Sequence, residues 1–171
     1  MYSLKLGRRV TAFSRSQFEL LLNAEVNCCV TSYCERPTVE GLAADLWQQD
    51  EVGESFAILT EAECVARWME VPVRRVSPAE LAAKRSWLSN WQCMLPVVIT
   101  TRDVVTRTLL RDIRRVVSEP ITLAHIEREL VTGDPTLVRA GVFRLLLDGS
   151  LVAPALHTEP LSLATLIGPA S

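Results

Sequence analysis

Two carboxylates, Glu19 and Asp45, are the residues of this sequence with the types and spacing to do chemistry. Metal-dependent hydrolysis of a phosphodiester needs carboxylates to hold Mg²⁺. A lysine or glutamine nearby orients the attacking water or stabilises the charge that develops. Glu19 falls on an amphipathic helical pattern that begins at Ser14 or Ser16. Asp45 stands in Ala43-Ala44-Asp45-Leu46-Trp47, beside a strand pattern, and the next strand reads Ser55-Phe56-Ala57-Ile58-Leu59-Thr60-Glu61. A Glu-x-Lys or Gln-x-Lys pair on that second strand would put both members on one face, because side chains alternate. Ala57 and Leu59 occupy those positions, and neither can ligate a metal or orient a water. Glu61 lies two residues late and does not simply substitute. Glu19 and Asp45 are thus the candidate magnesium ligands of a site whose completing pair is absent. Read singly, each is also an ordinary solvated carboxylate. Lys84, on the following helix, is the one lysine that another arrangement would draw in.

The basic residues form three groups: Arg8 and Arg9 near the start, Arg107, Arg111, Arg114 and Arg115 on one amphipathic segment, and Arg139 and Arg144 on a later one. All but Arg107 are the candidate DNA contacts. Asp112 and Glu119 flank the middle group, and Asp134 and Asp148 flank the last. The later segment also lacks Asn, Gln and Lys, the other side chains that read base edges in the major groove. A solvated face, DNA binding and a protein-docking surface all fit this pattern. The formal net charge of −2 excludes a generally basic nucleic-acid coat, so DNA contact rests on a local patch or on a partner. Five cysteines without a CxxC, and only two histidines, do not suit a structural zinc site. Free thiols in a reducing compartment are the simpler reading. MYSLKLGRRV lacks the apolar core of a leader, and no stretch reaches the roughly 20 apolar residues that span a bilayer. The expectation is a cytoplasmic protein with no membrane association.

The elements that would position these residues fall into two parts. In the first, residues 1–13 read as a basic arm, and a helix follows to about Ala24 with Phe18, Leu21, Leu22 and Val26 on one face. Strands are expected over 28–33, 43–48 and 55–59. A short helix is expected over 61–69, ended by Pro72. Ser77-Pro78-Ala79-Glu80 is a helix start with a serine cap and proline at the first position. That helix should reach about Trp91, and the apolar run 94–99 reads as a buried strand. In the second part, three helices are expected over 106–117, 123–130 and 136–147, with Thr122 as a cap and a Gly133-Asp134-Pro135 turn. A short hairpin over 150–152 and 157–163 completes a winged helix-turn-helix pattern. Trp47, Trp68, Trp87 and Trp91 all lie in the first part. Core packing accounts for them, and a partner pocket is the alternative.

Taken in order, these elements resemble the TnsA family, restriction-like endonuclease subunits of heteromeric transposases with a winged-helix C-terminal domain. Ser16-Gln17-Phe18-Glu19 resembles the family's Ser-x-x-Glu helix. Val30-Thr31-Ser32-Tyr33-Cys34-Glu35-Arg36-Pro37 resembles its strand ending in Gln-Pro, with Arg36 for the glutamine. Ala44-Asp45 resembles its Pro-Asp strand end, and Pro160-Leu161-Ser162-Leu163-Ala164-Thr165 its Pro-Leu-x-x-x-Thr ending. The resemblance implies an α/β N-terminal restriction-endonuclease-like domain with a small mixed sheet, residues 1–101, and an α+β winged helix-turn-helix domain, residues 102–171. It implies an accessory subunit of a DNA transposition complex that docks an integrase-type transposase, an ATPase regulator and transposon-end DNA. The absent Glu/Gln-x-Lys pair implies a pseudo-nuclease. The competing readings are an active Mg-dependent endonuclease cutting transposon 5′ ends, and a winged-helix regulator or adaptor unrelated to transposition.

Overall fold

The protein is described by a computed structural model covering residues 1–39, 41–63, 65–130 and 134–170. Cys64, and Gly133 of the expected turn, lie outside those residues. The architecture is mixed α/β, with six α-helices and a five-stranded mixed sheet among the described residues. The chain divides into two compact units, Met1–Leu88 and Ser89–Ser171. The expected boundary was after residue 101; the division instead falls within a helix. None of the described helices is long and apolar enough to cross a membrane.

The first unit begins with a hairpin, β1 (Tyr2–Ser3) and β2 (Arg8–Arg9), turned through Gly7 at φ 64°. The free basic arm expected here is not formed. Ser3 and Val10 are buried, and the Met1 ammonium donates to the Val10 carbonyl at 2.8 Å. Helix α1 (Arg15–Val26) starts at Ser14, whose hydroxyl accepts from the Gln17 N–H at 3.1 Å. The strands β3 (Val30–Glu35), β4 (Thr38–Val39), β5 (Leu42–Ala43), β6 (Leu46–Asp50), β7 (Glu54–Leu59), β8 (Arg67–Trp68) and β9 (Val71–Val76) follow. Strands β4 and β5 pair only with each other, and the main sheet has the order β3-β6-β7-β9-β8. Pairing is antiparallel except between β7 and β9, which run parallel. Alternation sorts the side chains. Val30, Tyr33, Leu46, Ala57 and Val76 pack with Leu20, Leu21 and Ala24 of α1 and with Leu81. Phe56, Trp47, Ile58 and Val73 join Trp68 on the opposite face, where the Phe56 and Trp68 rings meet edge-on at 5.2 Å.

Strands β8 and β9 replace the helix expected over 61–69 and the break expected at Pro72. Their two-residue connection, Met69-Glu70, has φ of 48° and 65°. Both central residues are left-handed, the geometry that matches the twist of a hairpin. Asn and Gly ordinarily announce such a turn, and neither is present. Pro72 stands near the start of β9 opposite Arg67, where a missing N–H is tolerated. The parallel register with β7 then begins at Val73.

Helix α2 (Pro78–Ala83) is capped by Ser77, as expected, but Lys84 ends it. A separate helix, α3 (Arg85–Thr101), follows. Residues 94–99 are therefore helical, not a strand. The buried residues Leu88, Trp91, Met94, Leu95 and Val98 recur at three- and four-residue spacing. Pro96 is exposed inside α3, and its own carbonyl accepts from the Thr100 hydroxyl at 2.9 Å.

The second unit continues through α4 (Arg107–Val116), β10 (Ile121–Thr122), α5 (Leu123–Glu129), α6 (Pro135–Leu147), β11 (Leu151–Val152), a 3₁₀ turn (Pro154–His157) and β12 (Leu166–Pro169). Thr106, Thr122 and Asp134 cap the three α-helices through their side chains. The strands form one antiparallel sheet in the order β10-β12-β11. The second strand expected over 157–163 is displaced to 166–169. Residues 156–161 are instead clasped by the buried Asn90. Its amide donates to the Leu156 and Glu159 carbonyls at 2.9 and 2.8 Å and accepts from the Leu161 N–H at 2.8 Å. Helices α4 and α6 approach closely at Gly141, where a Cβ would lie 2.5 Å from the Ile113 Cδ1.

Candidate functional site

Asp45 sits immediately before β6, and the ladder to β7 fixes its place. Its N–H donates to the Ala57 carbonyl at 3.0 Å, and its Oδ2 accepts from the Leu59 N–H at 2.7 Å. The carboxylate is thus held beside Ala57 and Leu59, the two positions where a ligand and a cation would complete a hydrolytic centre. It opens onto a cleft of about 460 Å³, lined also by Ser14, Ser16, Thr60, Glu61, Pro78 and Leu81. Glu61, set aside in the sequence, therefore shares the cleft with Asp45.

Glu19 does not. It lines a neighbouring cleft of about 430 Å³ with Arg15, Ala82 and Arg85, and the two openings have Pro78 and Leu81 in common. Its carboxylate is paired with the Arg15 guanidinium at 2.9 Å. Lys84 pairs with Glu80 at 3.8 Å and lines neither cleft. Among the described residues no three His, Cys, Asp or Glu side chains gather to hold a metal. One oxygen of Asp45 is committed to a backbone N–H, and Glu19 is committed to an arginine. The donor set therefore does not fit a magnesium ion. The cleft is of mixed character, with three hydroxyls and two carboxylates beside Leu59, Pro78 and Leu81.

The arginines singled out as DNA contacts are mostly paired. Arg8 makes a bidentate pair with Glu35 at 2.6 and 2.7 Å, which holds the Glu35 carboxyl below the usual carboxylate range. Arg9 is exposed. Arg111 and Arg115 each lie 3.9 Å from Asp112, and Arg114 reaches Ser150 at 3.0 Å and Asp148 at 3.7 Å. Arg139 makes a bidentate pair with Glu127 at 2.6 and 3.2 Å. Arg144 is different. It lines a groove of about 260 Å³ with Arg102, Arg107, Val98, Thr101, Val105, Leu110 and Ala140. Arg102 was not among the residues the sequence singled out, and no spacing rule would have joined it to Arg107 and Arg144. Helix α6 exposes only Pro135, Thr136 and Arg144, too little for a helix that reads bases by itself.

The sequence also gave no sign of a buried network at the amino terminus. Glu25 is fully buried and accepts from the Ser3 hydroxyl at 2.7 Å, the Tyr33 hydroxyl at 2.8 Å and the Leu4 N–H at 2.8 Å. Burial pushes the Tyr33 phenol well above its usual range. Lys5 donates to the Ala24, Asn27 and Val30 carbonyls at 2.9, 2.5 and 2.5 Å, and burial lowers its ammonium below the usual lysine range. Every polar group here has a partner, so the network ties the hairpin to α1 and β3 and is structural. Trp91 is fully buried and Trp68 packs on Phe56, in keeping with core roles. Compared with protein-family profiles and with curated protein sequences, the chain matches none.

Proposed function

We propose that the chain is a cytoplasmic accessory subunit of a DNA transposition complex, similar to the TnsA family, which docks an integrase-type transposase, its ATPase regulator and DNA without cutting efficiently. The observation that carries this reading is Asp45 at the head of β6, bonded to Leu59 and flanked by Ala57. An aspartate so held is what the TnsA reading expects of its metal-binding carboxylate, while the two residues expected to finish the centre are apolar. Topology supports the same reading. A helix, three antiparallel strands and a fourth strand parallel to the third are the order expected of a restriction-endonuclease-like core. A three-stranded sheet ordered β10-β12-β11 around three helices is the order expected of a winged helix. Fold alone assigns no function, so the partner decides.

The test is to tag the chain in its source cell, crosslink, and identify what co-purifies. An integrase-type transposase or its ATPase is the expected result. Recovery of promoter DNA alone, or of an unrelated enzyme, overturns the transposition reading.

A further inference from the structure

We propose that the groove lined by Arg102, Arg107 and Arg144 is a phosphate-binding site. On the function proposed above, its ligand is the phosphodiester backbone of duplex DNA. The second unit carries eight arginines, no lysine and eight carboxylates, so it has no net charge with which to attract a polyanion. Position must then do what composition does not. Among the described residues Arg111, Arg114, Arg115 and Arg139 all have carboxylates within 4 Å, whereas none pairs with Arg107 or Arg144. Arg102 has Asp103 at 3.3 Å, and Asp103 does not line the groove.

Helix electrostatics sharpen the distinction. Arg114 and Arg115 stand in the last turn of α4, where a cation is favoured by the helix dipole; Arg102 follows the last residue of α3 for the same reason. Arg107 is the first residue of α4, and no acidic residue occupies that first turn. A cation at the positive end of a helix, beside two further arginines, is unfavourable until an anion arrives. Arginine's planar fork matches the oxygens of a phosphate, and Val98, Val105, Leu110 and Ala140 line the same groove without offering a competing carboxylate. The Thr101 hydroxyl donates inward to the Val97 carbonyl at 2.7 Å, so the guanidinium groups supply the donors.

The test uses the full chain and three variants, Arg107→Gln, Arg144→Gln and, as an exposed arginine outside the groove, Arg128→Gln. Anisotropy of a labelled duplex across a salt series reads DNA binding, and amide shifts with inorganic pyrophosphate read the groove directly. The expected result is that Arg107→Gln and Arg144→Gln each weaken duplex binding roughly tenfold. Each should also reduce the salt slope by about one, equally for unrelated sequences. Arg128→Gln should match the wild type. If pyrophosphate shifts Val105–Leu110 and both groove variants abolish the shift while duplex is not bound, the site stands with a free polyphosphate as its ligand, and DNA docking by this chain fails. If duplex affinity and the pyrophosphate shifts are both indifferent to Arg107 and Arg144, the site itself is refuted. Urea midpoints equal to wild type confirm that each variant is folded.

Discussion

Replacing Glu25 by alanine should cost the first unit much of its stability. The carboxylate is fully buried and holds the hydroxyls of Ser3 and Tyr33 and the N–H of Leu4, all within 2.8 Å, with the Lys5 N–H as a fourth, longer donor at 3.4 Å. A buried donor deprived of its partner costs about 1–3 kcal/mol. Water entering the vacated space relieves part of that, and removal of one member of a buried charged cluster costs about 3–5 kcal/mol in total. With a urea slope of about 1–3 kcal/mol/M, the midpoint should fall by about 2 M. Tyr33→Phe removes a single bond and should cost about 1–1.5 kcal/mol. The double variant should be hardly worse than Glu25→Ala, because the phenol has already lost its acceptor. Urea unfolding followed by tryptophan fluorescence reads all three variants. A loss below about 1 kcal/mol for Glu25→Ala, or strictly additive losses in the double variant, would refute the account of the network as one unit.

Two further outcomes follow from particular contacts. Asn90→Ala leaves the Leu156 and Glu159 carbonyls and the Leu161 N–H without their partner, so it should destabilise by about 2–4 kcal/mol. It should also strip the Leu161 amide of protection in hydrogen exchange. The Arg8–Glu35 pair should show in the pH dependence of stability. Its hydrogen bond lowers the Glu35 carboxyl below its ordinary 4.5, so the stabilisation is present above that value and is lost as pH falls through the lowered one. Wild type should exceed Glu35→Gln modestly at pH 7, less so in high salt, and the two should converge below pH 4.5. A gap that persists under acid would contradict the assignment.

The local signals in the sequence were of the kinds that a single element decides. Ser77 before Pro78, Thr106, Thr122 and Asp134 each announce a helix start, because a side-chain oxygen satisfies the first-turn N–H groups without help from elsewhere in the chain. The alternation across Glu54–Leu59 likewise placed Ala57 and Leu59 on one face, and their apolar character is a property of composition alone. That positions 57 and 59 carry neither a carboxylate nor a lysine was therefore legible before any fold was known. What tertiary structure decided was everything set by contact across distance in the chain. Residues 94–99 are helical because Trp91, Met94, Leu95 and Val98 share a buried helical face, although as an isolated apolar run they fit a strand equally well. The turn at Met69-Glu70 is imposed by the pairing of β8 with β9, against the preference of both residues for negative φ. The basic amino terminus is bound by Glu25 and Glu35, at separations of about twenty residues and more, which no pattern of spacing reveals. Charge shows the same division: sequence counts arginines, and only the fold determines which of them meet a carboxylate and which line a groove.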